Sequence, residues 1–137
     1  MTKPSYQKYN DYILPFNWNN HEIWKITAPI EYWSTNILYW QLHRSFWSSQ
    51  KDIHYDIKPI DILKNKIQHK EHNHRINNAN LAFPITVVDW RNQFTILDGI
   101  HRLAKCYKNG IGLIKVKKIY LDEVNLSKPN TFSNFTF

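Results

Sequence analysis

The sequence predicts an α+β domain built on a small mixed sheet with a ββαβ core. Three observations carry that prediction. Two apolar runs, residues 83–88 and 93–97, flank the polar stretch Asp89-Trp90-Arg91-Asn92, which is the pattern of a β-hairpin. Ile100, Leu103, Ala104 and Tyr107 then recur at i, i+3, i+4 and i+7, one apolar stripe of a helix that Asn109-Gly110 would stop. After Gly110, Leu113–Ile119 reads as a return strand.

The remaining elements are weaker. Residues 1–20 are polar and aromatic and are broken by Pro4 and Pro15, so they are expected to form an arm over the domain. Residues 22–33 hold β-prone side chains around Pro29 and predict an opening strand or two. A short helix is expected over residues 36–46. A second, over 56–67, has Pro59 at its start and Ile60, Leu63 and Ile67 on one side. Residues 69–80 continue as a polar helix or loop. Residues 121–137, with Pro129, form a tail that docks or stays mobile. At 137 residues the chain, residues 1–137, is expected to be one domain with its motif-bearing core at 83–120.

Composition narrows the function classes. Eighteen Lys and Arg against 11 Asp and Glu give a net charge of +7, which favours anionic partners such as nucleotides, nucleic acid or acidic surfaces. The basic residues are dispersed, however, so nucleic-acid binding is expected to be weak. Only Lys115, Lys117 and Lys118 cluster, with 115 and 117 on one face of a strand, most simply a solvated edge. A single cysteine excludes an intramolecular disulfide, and Cys106, beside the helix stripe, is expected to be a small buried hydrophobe. No apolar run has transmembrane length, so no membrane partner and a reducing, cytoplasmic setting are expected. Six Trp, eight Tyr and seven Phe beside one Met predict a core built from aromatics, with Trp18, Trp24, Trp33, Trp40 and Trp47 in its first part. Exposed rings would instead mark a groove for a nucleobase or a partner chain.

Chemistry concentrates where the second hairpin strand meets the helix, at Asp98-Gly99-Ile100-His101-Arg102. Helix N-terminal amides, the positive end of the helix dipole, an imidazole and a guanidinium would converge there, a combination suited to phosphate. His101 and Arg102 lie off the apolar stripe, and Lys105 and Lys108 follow on the polar side. Plainer readings stand beside this one: Asp98 as a helix N-cap, Gly99 as a residue allowing close packing, and His101 and Arg102 as solvated helix residues.

The run Ile-Leu-Asp-Gly-x-His-Arg-Leu-Ala at residues 96–104, followed by a helix, Gly110 and a strand, resembles the core of the ParB N-terminal domain and sulfiredoxin superfamily. The resemblance covers about residues 83–120. It implies a ParB/sulfiredoxin-like fold in which Asp98, Gly99, His101 and Arg102 hold the phosphates of a nucleotide such as ATP or CTP. The first function hypothesis is then a nucleotide-binding enzyme of phosphoryl transfer or nucleotide hydrolysis with Asp98 and His101 as catalytic residues, Asp98 assisting Mg²⁺ as its ligand or an acceptor hydroxyl and His101 stabilising charge. The alternative is a nucleotide- or nucleic-acid-binding module without catalysis. Ile100 stands where sulfiredoxins carry their reactive cysteine, so sulfinic acid repair is not expected. Tyr39-Trp40-Gln41 lacks the carboxylate that the superfamily's free-serine kinases use after their first strand, leaving Glu22 or Glu31 to reach the same cleft. The helix-turn-helix and dimerisation segments of partition proteins are not expected in 137 residues.

His69, His72 and His74, with Glu71 and Arg75 among them, form a second group. His69 and His72 would share a helical face, the arrangement in which imidazoles bind zinc or nickel, but the spacing matches no closed structural zinc motif. Arg75, and with it His72, are instead candidates to complete the phosphate site from the helical segment before the hairpin.

Overall fold

The computed structural model describes residues 18–44, 46, 57–66, 68–90 and 92–127, with side chains as far as Val124. The elements run α1 (Asn20–Trp24), β1 (Ile30–Ser34), two 3₁₀ turns (Thr35–Ile37 and Tyr39–His43), α2 (Pro59–Leu63), α3 (Lys70–Asn77), β2 (Ile85–Trp90), β3 (Gln93–Asp98), α4 (Ile100–Asn109), β4 (Leu113–Ile119) and α5 (Leu121–Ser127). The four strands form one mixed sheet in the order β1-β4-β2-β3. β1 pairs antiparallel with β4, β4 runs parallel to β2, and β2 pairs antiparallel with β3. The parallel pair is joined through β3 and α4, so the ββαβ core is present.

Both faces of the sheet are covered, and alternation along each strand decides which residue faces which layer. Ile85 and Val87, Ile96, and Ile114 and Val116 join Leu38, Leu42, Ile60, Ile62 and Ile76 and the α4 residues Ile100, Leu103, Ala104 and Cys106 in the larger core. Val88, Leu97 and Ile119 face the other way and meet Ile23 of α1 and Val124 of α5 in a smaller one. Each fully buried Leu or Ile contributes about 1.5–3 kcal/mol, so the larger layer dominates the fold and seats α4 against the sheet.

Several sequence expectations are corrected here. The buried hydrophobic residues are Ile, Leu, Val, Ala and Cys, not aromatics; among the described residues the rings lie at the margins, with Trp24, Tyr32, Phe83 and Tyr120 more than half exposed. β-Branched side chains fill a sheet-based core with less lost rotamer freedom than large rings, and this chain has them at the inward positions of every central strand. Residues 20–24 are a helix, not a strand, because the Asn19 side chain accepts from the amides of His21 and Glu22 and so caps it. The short helix expected over 36–46 is two 3₁₀ turns, and the helix beginning at Pro59 ends at Leu63. Residues 69–80 contain a true helix, α3. Arg91, Ile67, Trp47, most of the expected arm and the tail beyond Ser127 lie outside the described residues.

The basic strand is the largest correction. β4 lies between β1 and β2, so it is not an edge, and Lys117 is buried. Its ammonium donates to the carbonyls of Ile23 (2.9 Å), Ile26 (3.1 Å) and Trp24 (3.4 Å), holding the C-terminal end of α1 on the sheet. Burial pulls its pKa down, against the opposing influence of Asp98 and Glu123. Lys117→Ala removes the donors and leaves a void, and is expected to cost about 2 kcal/mol or more. Urea unfolding measures this; an unchanged midpoint would mean that water satisfies the three carbonyls.

Candidate functional site

The site is made by the turn between β3 and α4. Gly99 has φ 107°, in the left-handed region, and a Cβ built there would stand 2.5 Å from Cγ2 of Ile85. Only glycine meets both demands, a positive φ and a backbone pressed against β2. Gly99, not Asp98, is the N-cap of α4, and no side chain caps the helix. That is a second correction. The hairpin bulges just before this turn, where Thr86 pairs with Asp98 but Val87 pairs with Ile96, leaving Leu97 as the extra residue. A bulge re-aims the side chains beyond it.

Asp98 is turned towards α1. Its Oδ2 accepts from Nε1 of Trp24 at 2.8 Å, and its Oδ1 lies 3.5 Å from Nδ2 of Asn20. Nη1 of Arg102 stands 3.7 Å from Oδ2, long enough that the ion pair orients the guanidinium more than it stabilises the fold. The same Nη1 donates to the carbonyl of Pro84 at 3.2 Å. Arg102 is therefore held between the hairpin strands' ends at the start of α4.

His101 points to α3. Its Nε2 lies 3.1 Å from Nδ1 of His72, and the two rings are within 17° of parallel with centroids 5.4 Å apart. Such a separation is about the largest that an N···N contact of that length permits, so the rings meet edge to edge along one straight hydrogen bond. One imidazole donates and the other accepts. A metal ion, which needs about 2 Å to each nitrogen, has no room on that line. Among the described residues no three His, Cys, Asp or Glu side chains converge as a metal-ligand set. His69 uses Nδ1 to accept from the amide of His72, and His74 lies beside Asn78.

Electrostatics explain why the pair is neutral. Burial pushes His101 down to about 3, with Arg75, His72 and Arg102 adding repulsion. Burial likewise lowers His72 to about 4, reinforced by His69 and Arg75 and opposed by Glu71. Arg75 lies one turn beyond His72 on α3 and is exposed. The structure thus joins His101 of α4 directly to His72 of α3, with Arg75 and Arg102, also singled out in the sequence, acting on His101 through their charge. Asp98 adjoins them through Arg102, while its carboxylate faces α1. Glu22 pairs with Lys25 and Glu31 accepts from Trp33, so each has a local partner.

Comparison of the chain with protein-family models, with curated proteins and with solved structures finds no match. The site therefore rests on its own geometry: two guanidinium groups, two neutral imidazoles and the N-terminal turn of a ten-residue helix. Cys106 is buried, and burial pushes its thiol pKa up, which removes it from nucleophilic chemistry. The sequence did not signal the His72–His101 bond, because a contact across 29 residues leaves no periodic trace; His72 lies with Ile76 on the buried face of α3, and that spacing of four was the available hint.

The histidine pair makes stability depend on pH. Below pH ~6.5 the unfolded chain takes up protons at His72 and His101 that the folded protein, with its lowered pKa values, does not. Stability is full above that pH and drains as pH falls towards 4, by about 1 kcal/mol per imidazole per pH unit. Thermal melting from pH 7.5 to 4.5 is expected to show this fall, and His72→Gln with His101→Gln to flatten it. Parallel profiles for the two proteins would contradict the assignment.

Proposed function

We propose that this chain is a nucleotide-phosphate-binding protein of ParB/sulfiredoxin-like architecture, with ATP or CTP as the ligand class. The observation that carries the reading is the convergence of His101 and Arg102, at the start of α4, with His72 and Arg75 of α3. An anion seated there would meet helix N-terminal amides, imidazole N–H and two guanidinium groups, and would relieve the mutual repulsion of the cations. The reading of the architecture rests on the resemblance of residues 96–104, set in a strand-turn-helix-strand context.

Catalysis, in this reading, is phosphoryl transfer or nucleotide hydrolysis with Asp98 assisting Mg²⁺ or an acceptor hydroxyl and His101 stabilising charge. Mg²⁺ binds through one or two carboxylates together with substrate phosphates, and Asp98 is the carboxylate next to Arg102. A second reading, binding without turnover, is favoured by the engagement of Asp98 with Trp24. Nucleic acid is the weaker partner in either case. Lys117 is buried and Lys115 donates to the carbonyl of Ala82, so the basic strand offers no continuous stripe to a phosphate backbone.

Arg102→Ala is expected to weaken nucleotide binding more than tenfold in calorimetric titration, the loss of a charge-assisted contact. Equal affinity in wild type and variant would sink the site. Asp98→Asn is expected to keep most of the affinity while abolishing turnover in the presence of Mg²⁺. Turnover at the wild-type rate would reduce Asp98 to the anchor of α1, and a wild type without turnover would favour the binding module.

A further inference from the structure

The loop that leads into β2 is fastened by three cations, each donating to a different main-chain carbonyl. Lys105 of α4 reaches the carbonyl of Ala79 at 2.9 Å, Lys115 of β4 that of Ala82 at 3.3 Å, and Arg102 that of Pro84 at 3.2 Å. Within the loop the Asn80 side chain accepts from the amide of Ala82 at 2.9 Å, and the amide of Phe83 donates to the Asn80 carbonyl at 3.3 Å. Five contacts hold a segment of six residues. In the middle of it stands Phe83, whose side chain is left outside both cores and which is 58% exposed.

A phenyl ring on a pinned loop is a different object from one on a loose surface. The backbone of Phe83 is fixed before any ligand arrives, so stacking on the ring orders two side-chain torsions and not a loop. Its neighbour is also informative: the Arg102 guanidinium lies 5.9 Å from the ring centroid, so the ring and a phosphate-binding cation are side by side. Trp24, the other exposed ring near the turn, has structural work that Phe83 lacks. Its Nε1 is committed to Asp98 and its ring meets His21 at 5.0 Å, which ties α1 to the end of β3.

We infer that Phe83 is the base-stacking surface of the site, so that the ligand held at Arg102 by its phosphates is a nucleotide and not a base-free phosphate. The inference rests on the phosphate-site reading above and deepens it: Arg102 anchors the phosphates, and the face of Phe83 receives the aromatic base. Stacking accepts any base, because every base offers a π-face; discrimination among bases is not assigned to this residue.

The test compares ATP and CTP with tripolyphosphate, which has the phosphates and no base, by calorimetric titration at 0.15 M salt on the full chain. Phe83→Ala is expected to weaken ATP and CTP binding by roughly five- to a hundredfold while leaving tripolyphosphate affinity unchanged. Phe83→Trp is expected to restore nucleotide affinity. An exposed ring is expendable to the fold, and an unchanged melting temperature checks that. If tripolyphosphate binds as tightly as the nucleotides, or Phe83→Ala leaves nucleotide affinity intact while Trp24→Ala reduces it, Phe83 is not the base surface and the phosphate site stands. If wild type binds neither nucleotide nor tripolyphosphate, the phosphate site falls and this inference with it.

Discussion

The constraint on which the site depends lies in the turn from strand to helix, where the backbone of Gly99 leaves no room for a Cβ beside Ile85. A side chain at residue 99 would collide with β2 and would also have to tolerate a φ of 107°, so the turn can be this tight only without a Cβ. Tightness has three consequences. Helix α4 starts directly at the end of β3, Arg102 comes within reach of the Pro84 carbonyl at the start of β2, and His101 is aimed across to α3. Loosening the turn by one residue would rotate the first turn of α4 by about 100° and separate all of these groups.

Cations secure what the turn positions. Lys117 ties α1 to the sheet through three carbonyls, and Lys105, Lys115 and Arg102 tie down the loop before β2. Four of the eighteen basic side chains are thus engaged by main-chain oxygens, and of these Lys117 is buried. Burial of a lysine is costly unless its ammonium is fully hydrogen-bonded, and Lys117 meets that condition with three acceptors. Asp98 is shared between the two sides: the Oδ2 that accepts from Trp24 also stands 3.7 Å from Arg102. It is needed by Trp24 to hold α1, and the helix in turn covers the smaller core.

The strongly periodic segments were legible in the sequence. Hairpin, helix α4, its stop at Gly110 and the strand Leu113–Ile119 all follow from alternation, from the 3.6-residue stripe and from a glycine with φ 67° at the helix end. Buried Cys106 followed from its place beside the stripe. Asp98 as a cap did not hold, because its carboxylate is taken by Trp24 of α1, a contact across 74 residues that pattern reading cannot see, and Gly99 holds the capping position. Lys117 as a surface residue failed for a topological reason. Whether a strand is central or at the edge depends on β1, which pairs with β4 from 79 to 87 positions away. The grouping of His101 and Arg102 was readable from their adjacency on one strand-to-helix turn, whereas their meeting with His72 and Arg75 depends on how α3 packs on α4.

If α3 and the start of α4 form one anion site, as proposed, ATP must be felt by both helices at once. A nitrogen NMR titration of the histidine and arginine side chains with ATP reads this. The ring nitrogens of His72 and His101 and the guanidinium of Arg102 are expected to shift together along one saturation curve, while exposed His74 stays in place. Shifts confined to other residues, or none at saturating nucleotide, would contradict it.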